Sequence, residues 1–241
     1  MDALFKAQKY SAAVESKEKV SSKVYLVRFK LIEPSTLDFQ AGQNIVLLIS
    51  EGINRTMSIA SPPGEKNHIL IAHDVTPMGS GSQWTLKLKV GDEVELMGPT
   101  GGTLALAQSQ RKKVFVATGV GISPFHSILL DLFSFHHVSC ITHHVTLYWG
   151  LRFEEDIFWQ EEFQELEKKY PNFKFNLILS KPSPIWPGLT GHVTEHVLKS
   201  EKNPENCDFY LCGSKEMVGE VKEQLLSKNV PKEQVKTELI Y

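Results

Sequence analysis

The stretch VFVATGVGISPF, residues 114–125, decides the fold. Val114–Ala117 reads as a short buried strand, and Thr118 to Gly121 as the turn that leaves it. Gly119 and Gly121 let the backbone turn tightly and come close to a ligand. Pro124 stands where a helix begins, which suits its fixed φ and missing N–H. The spacing is G-x-G-x-x-P, not the G-x-G-x-x-G of the Rossmann turn, so the string draws its meaning from the strand–turn–helix context. A parallel sheet contains such units, and ligands gather outside the carboxyl ends of its strands.

Around this stretch the pattern alternates. Lys113–Ala117, Val145–Trp149, Phe173–Leu179, Phe209–Cys212 and Val235–Ile240 are strand-like, with helical stretches at Pro124–Phe133, Asp156–Tyr170, Val193–Lys199 and Lys215–Ser227. Strand and helix in alternation imply right-handed crossovers and a doubly wound parallel α/β domain. Toward the N-terminus the helical period disappears. Tyr10–Glu15, Val24–Leu31, Asn44–Ile49, Thr56–Ala60, His68–His73 and Glu93–Met97 are short strands, punctuated by Ala41-Gly42, Pro62-Pro63-Gly64, Val90-Gly91-Asp92 and Gly98-Pro99. Six such strands suit a small closed antiparallel β-barrel. The expected organisation is a six-stranded barrel over residues 1–107 followed by the α/β domain over 108–241.

Composition narrows the function. The net charge of −2 carries no block of like charge, which argues against nucleic acid or an anionic membrane as the main partner. Three cysteines, Cys140, Cys207 and Cys212, cannot supply the four thiolates of an iron–sulfur cluster, and their spacing is not that of a disulfide framework. A reducing cytoplasm is the expected compartment. No apolar run approaches the ~18 residues of a membrane span, and the first residues lack the apolar core of a signal peptide.

Four further strings carry candidate chemistry. In RTMSIAS, residues 55–61, Arg55 offers a planar fork of donors for phosphate or pyrophosphate, and Ser58 a hydroxyl on the same side of the strand as Thr56. GSGS, residues 79–82, opens a short helical stretch through Leu86, and the amides at its start with Ser82 form an anion site. In FYLCGSKEM, residues 209–217, Cys212 ends a strand and Gly213 turns the chain into a helix. TELIY, residues 237–241, puts Glu238 and Tyr241 at the end of the last strand. Each string taken alone also has an ordinary structural reading: a surface Arg, an N-cap serine, a packed cysteine, a frayed tail. The group His136, His137, Cys140, His143 and His144 contains good zinc ligands, but its spacing matches no zinc module, and it reads as a solvated connection. No metal site is expected.

Taken in order, these strings resemble the ferredoxin–NADP reductase family over nearly the whole chain. FQAGQ (39–43) is similar to the segment before the third barrel strand. RTMSIAS resembles the R-x-Y-S flavin motif and GSGS the G-x-x-S pyrophosphate motif. KVGDEVELMGPTGG (89–102) resembles the barrel-closing strand and turn, and ATGVGISPF the nicotinamide-nucleotide turn. YWGLR (148–152) and CGSKEM (212–217) resemble later nucleotide motifs, and TELIY the V-E-V-Y terminus of the plant-type enzymes.

The resemblance implies FAD, rather than FMN, and NAD(P)H as cofactors. It implies that Arg55 and Ser82, with Gly79, Ser80 and Gly81, hold the FAD pyrophosphate, that Thr56, Met57 and Ser58 meet the flavin, with Ser58 near N5, and that the backbone of Ile71, Ala72 and His73 lines it. Thr118, Gly119, Gly121, Pro124 and Arg152 would hold the nicotinamide nucleotide, together with Gly213 and Met217. Cys212 would position the nicotinamide ring, Glu238 would assist proton movement, and Tyr241 would cover the flavin face that the nicotinamide must reach. Ser180 and Lys181 fall where NADP-specific relatives use Ser-Arg, whereas Glu154 and Glu155 would oppose a phosphate, which leaves NADH and NADPH both open. Met57 replaces the family's tyrosine and offers a thioether contact in place of ring stacking.

The implied activity is hydride transfer from NAD(P)H to FAD, then electron transfer to a separate soluble acceptor such as a ferredoxin or flavodoxin. The alternatives are the reductase component of a multicomponent oxygenase, a free-flavin reductase, and a flavin- or nucleotide-binding module without turnover.

Overall fold

The computed structural model describes residues 6–76, 78–133 and 144–240. It divides into two compact units, one of residues 1–105 with Ser123–Asp131, the other of 106–122 with 132–241.

The first unit is built on six strands: β1 (Gln8–Lys19), β2 (Val24–Glu33), β3 (Gln43–Ser50), β4 (Ile53–Ser58), β5 (His68–Asp74) and β6 (Glu93–Gly101). They form one antiparallel sheet in the order β4-β3-β6-β1-β2-β5. Alternate residues turn inward: Tyr10, Ala12 and Val14 from β1, Val27, Phe29 and Leu31 from β2, Ile45 and Leu47 from β3, Ile69 and Ile71 from β5, and Val94 and Leu96 from β6. This period of two produces a single apolar face, which the sheet buries by curling over it.

The expected closed barrel is therefore a curled sheet. Its edge strands β4 and β5 stand at opposite ends of the order and meet just past β4, where the Ala60 N–H donates to Leu70 O at 2.8 Å and the Leu70 N–H donates to Ser61 Oγ at 3.1 Å. Two α-helices among the described residues belong to this unit. One is α1 (Ser80–Lys87). The other, α2 (Ser123–Leu132), follows the Gly119–Gly121 turn in sequence, and its residues Ser123–Asp131 group with the curled sheet.

The second unit is a parallel sheet of β7 (Lys112–Thr118), β8 (Val145–Leu151), β9 (Phe173–Leu179), β10 (Leu189–Thr190), β11 (Cys207–Gly213) and β12 (Val235–Leu239), with helices α3 (Gln160–Lys169), α4 (Val193–Ser200) and α5 (Lys215–Ser227). The order is β10-β9-β8-β7-β11-β12. Strands after β7 run outward on one side as far as β10, and β11 and β12 lie on the other, so the order reverses between β7 and β11. Crevices at such a reversal hold ligands in open α/β sheets. β7 and β11 are buried on both faces, as the apolar runs Val114–Ala117 and Phe209–Cys212 require.

Several boundaries differ from the sequence reading. The helix expected from Asp156 begins at Gln160. Asp156 instead accepts the Phe153 N–H in a short 3-10 turn, and Trp159 takes a left-handed φ of 55° that breaks the helical path. β10 lies in a proline-rich stretch that carried no strand signal.

Candidate functional site

In the first unit, β4 and the start of α1 come together. Arg55 is exposed in β4, and its side chain lies against Gly81, where an added Cβ would meet Arg55 Cγ and Nε at 3.1 Å. The helix N-cap is Gly79, which supplies no side-chain cap, and the first turn holds no acidic residue. A guanidinium therefore sits at the positive end of a helix dipole with no carboxylate in that turn to offset it. Such an arrangement is stabilised by an anion, and the fork of Arg55 beside helix amides suits a pyrophosphate. At the other end of α1, Lys17 Nζ donates to the Leu86 and Leu88 carbonyls at 2.8 and 2.9 Å, the cation–carbonyl pairing that the dipole favours.

The register pairs Met57 with Ile45 and Ser58 with Asn44. Met57 is half-buried and packs against the apolar core, Ser58 is half-buried at the strand end, and Thr56 is exposed. On β5, Leu70 uses both backbone groups away from β2, toward Ala60 and Ser61. Direction alternates along an antiparallel strand, so the backbone N–H and C=O of Ala72 face the same outer edge. His73 shares a 2.7 Å hydrogen bond with Thr85 Oγ1, which ties β5 to α1. Burial pulls the His73 imidazole below its ordinary 6.5; Asp74 opposes this and Arg55 adds to it.

In the second unit, the turns after β7 and β11 interlock. Thr118 Oγ1 accepts the Ser214 N–H at 3.0 Å. An added Cβ on Gly121 would meet Cys212 O at 2.3 Å, and one on Gly213, at φ +152°, would meet Thr118 Oγ1 at 2.1 Å. Gly119, at φ +55°, has nothing within 4 Å of its Cβ position, so its backbone is open to a ligand. Trp149 Nε1 donates to the Gly119 carbonyl at 3.0 Å and holds that turn, while Ser214 Oγ caps α5 by accepting the Met217 N–H. The tight glycine turns at the order reversal fit a dinucleotide phosphate run. Pro124, the second residue of α2, is buried.

Cys212 is fully buried at the end of β11, in register with Glu238 of β12. Burial first, then the Glu238 carboxylate, hold its thiol well above the ordinary 9. Cys212 therefore presents a neutral thiol. Arg152 is exposed, with its guanidinium over the Phe153 ring, and its carbonyl accepts the Lys181 N–H at 2.8 Å, so Arg152, Ser180 and Lys181 lie together at the ends of β8 and β9. Glu154 Oε1 accepts the Ser183 N–H at 2.8 Å, and hydrogen bonding from Ser183 holds the Glu154 carboxyl below its usual range. Glu155 is exposed.

Tyr241 lies outside the described residues, as do His136, His137, Cys140 and His143; His144 is exposed before β8. The sequence reading passed over Thr85, Trp149 and Ser214. Of these, only Ser214 had a local signal, as a serine three residues before Met217 at a helix start.

The sequence matches two domain families: the oxidoreductase FAD-binding domain over residues 11–104 and the oxidoreductase NAD-binding domain over residues 115–223. A component of the Na(+)-translocating NADH-quinone reductase from Psychrobacter cryohalolentis is 32% identical over 203 residues, covering 78% of this chain and 48% of its own length. The chain thus spans about half the length of that relative. A cytochrome P450 reductase from Amycolatopsis superposes with a TM-score of 0.87 at 23% identity, covering 97% of this chain and 70% of that one. A ferredoxin-NADP+ reductase from Plasmodium falciparum does so with a TM-score of 0.78 at 22% identity, covering 96% of each. With both domain families in the order that the curled sheet and the parallel sheet require, the chain belongs to the FAD- and NAD(P)H-binding oxidoreductases of the ferredoxin–NADP reductase family.

Proposed function

We propose that the protein takes a hydride from NADH onto bound FAD and passes the electrons to a separate redox protein. The observation that carries this reading is the division of labour between the units. Arg55 and the uncapped start of α1 form an anion site in the first, and the interlocked turns at Thr118–Gly121 and Gly213-Ser214 stand at the order reversal of the second. Bound FAD supplies two-electron acceptance from the nicotinamide and release of electrons one at a time; the protein supplies binding and orientation.

Each residue set has its task. Arg55, Gly79, Ser80, Gly81 and Ser82 hold the FAD pyrophosphate. Thr56, Met57, Ser58 and the edge backbone of Ile71, Ala72 and His73 would frame the ring, with the Ser58 hydroxyl near N5. Thr118, Gly119, Gly121, Pro124, Gly213 and Met217 hold the nicotinamide nucleotide. Cys212, neutral and buried, packs the end of β11 where the nicotinamide is positioned. Glu238 would manage the proton, and Tyr241, proposed as the residue that would cover the flavin, lies outside the described residues.

NADH is favoured over NADPH by the anchored Glu154 carboxylate beside Ser183, which repels a 2′-phosphate approaching Ser180, Lys181 and Arg152. The Psychrobacter relative, part of an NADH-quinone reductase, supports the same choice. We take the acceptor to be a ferredoxin, a flavodoxin or an oxygenase component; the three cysteines within these 241 residues are too few to ligate an iron–sulfur cluster. No helix among the described residues is long and apolar enough to cross a membrane, and the described cysteines, Cys207 and Cys212, are free thiols, which accords with a cytoplasmic setting.

The test is purification and turnover. The protein should carry FAD, bleach on addition of NADH, and turn over with one acceptor of a panel of ferredoxin, flavodoxin and oxygenase components. A colourless protein, or a flavin that NADH does not reduce, overturns the reading.

A further inference from the structure

Helix α2 contributes two consecutive polar side chains to the curled sheet. His126 is buried, and its Nδ1 lies 2.7 Å from Ala60 O. A carbonyl only accepts, so Nδ1 carries the proton. Ser127 is fully buried, and its Oγ donates to Ser61 O at 2.7 Å. Ala60 and Ser61 also clasp β5: the Ala60 N–H donates to Leu70 O, and Ser61 Oγ accepts the Leu70 N–H. Two adjacent residues just past β4 are thus bonded to α2 on one side and to the edge of β5 on the other.

Satisfying buried carbonyls is enough to explain two donors structurally. Their placement goes further. Ser58 lies two residues before Ala60, and Ala72 two residues after Leu70. The strands that carry them end the sheet order on opposite sides, and the clasp is where they meet. It therefore fixes the distance between the Ser58 end of β4 and the Ala72 edge of β5.

We propose that His126 and Ser127 are positioning residues for the flavin ring, acting through the Ala60–Ser61–Leu70 clasp to set the gap between β4 and β5. This rests on the reading that the ring lies along those two strand edges. Losing either side-chain donor leaves a buried carbonyl unsatisfied and lets the edges shift. A buried ring senses such a shift through its chiral surroundings before the fold is lost.

The test compares FAD-loaded His126→Leu, Ser127→Ala and His126→Asn proteins with the parent, by visible circular dichroism of the flavin, FAD affinity and melting temperature. His126→Leu and Ser127→Ala should change the flavin dichroism and weaken FAD binding about tenfold. His126→Asn, whose amide can donate to the same carbonyl, should restore both. A lower melting temperature with parent-like dichroism and affinity overturns the proposal, as does an effect of His126→Leu that His126→Asn does not rescue. Should His126→Leu fail to fold, Ser127→Ala removes a single oxygen and decides alone. Arg55→Ala separates the two layers of the argument. If it lowers FAD occupancy while Ser127→Ala changes nothing, the clasp is wrong; if it leaves occupancy unchanged, the placement of FAD is wrong and the clasp falls with it.

Discussion

Arg55 lies across Gly81 so closely that a methyl group on that glycine would meet its Cγ and Nε at 3.1 Å and its Cδ at 3.3 Å. Alanine at this helical position gains ~1 kcal/mol of helix propensity over glycine. Gly81→Ala should therefore leave the melting temperature nearly unchanged or slightly raised while displacing the guanidinium. FAD affinity should fall severalfold, and Arg55→Ala should lower it further. Titration of apoprotein with FAD, followed by flavin fluorescence, measures both. An undiminished affinity in Arg55→Ala would remove the residue from the pyrophosphate site.

His73 gives the first unit a pH dependence whose sign is fixed. Burial, with Arg55 adding to it, depresses its folded pKa below 6.5, while the unfolded chain keeps the ordinary value. Between those two values the unfolded state binds more protons, so stability is lost as pH falls below about 6.5 and through the depressed value. His73→Gln should flatten that part of the profile. Urea unfolding at a series of pH values, monitored by near-ultraviolet dichroism, provides the check; an equally steep profile in the variant would assign the slope to other groups.

How much of the molecule is legible in its sequence depends on distance along the chain. The strand–turn–helix at 114–125 and the glycines at 119, 121 and 213 are legible because each string carries its own turn chemistry. The curl of the first sheet is legible only as six strands, since period two shows which face is buried but not whether the edges form a ladder. Pairings across long separations leave no local mark: His126 with Ala60 spans 66 residues and Lys113 with Asp208 spans 95. Trp159 shows a different failure, because a left-handed aromatic breaking a helix contradicts the propensity that the sequence displays.

Glu154 should set nucleotide choice by charge. Its carboxylate is anchored by the Ser183 N–H and stays ionised well into the acid range. Glu154→Gln keeps the hydrogen-bond acceptor and removes the charge, so kcat/KM for NADPH should rise severalfold while that for NADH changes little. The difference between parent and variant should shrink at high salt, because a solvated charge is screened. Steady-state kinetics with both nucleotides at low and high salt decides it; an unchanged NADPH to NADH ratio would clear Glu154 of the role.

Asp208 and Lys113 form a buried pair at 2.6 Å, with Arg111 Nε at 2.8 Å on the other carboxylate oxygen and Ser109 Oγ also donating to the group. Burial alone would raise the Asp208 pKa, but the hydrogen bonds from Lys113, Ser109 and Arg111 outweigh it and hold the carboxyl below its usual range. The two partners are not equivalent. Asp208→Asn leaves the buried Lys113 ammonium with only the Ser109 carbonyl and hydroxyl and no counter-charge, and should cost ~3–5 kcal/mol. Lys113→Met leaves a carboxylate that Arg111 and Ser109 still serve, and should cost less. Urea denaturation measures the order, and a reversal of it would mean that the packing of the lysine stem outweighs charge.

Gly119 and Gly121 stand two residues apart in the same turn and should respond to alanine for different reasons and to different extents. At Gly119 the space is open, and the cost of a side chain is the left-handed backbone at φ +55°, ~1–2 kcal/mol for an L-residue. At Gly121 the backbone is ordinary, but a methyl group would lie 2.3 Å from the Cys212 carbonyl oxygen and 2.6 Å from its carbon. Those atoms belong to the end of a buried strand and cannot move aside as a side-chain tip would. Gly121→Ala must therefore push the two turns apart and strain the Thr118–Ser214 hydrogen bond between them. The second unit should lose stability, and KM for NADH should rise more than tenfold. Gly119→Ala should lower the melting temperature only by the few degrees that this backbone strain corresponds to, and raise KM only through crowding of the bound nucleotide. FAD content should be unaffected in both, because Arg55, Gly81 and the curled sheet lie in the other unit. Flavin content, melting temperature and the NADH dependence of flavin bleaching, measured on the two variants side by side, separate backbone strain from lost space. Equal effects of the two substitutions would mean that neither reason accounts for the glycine at that position.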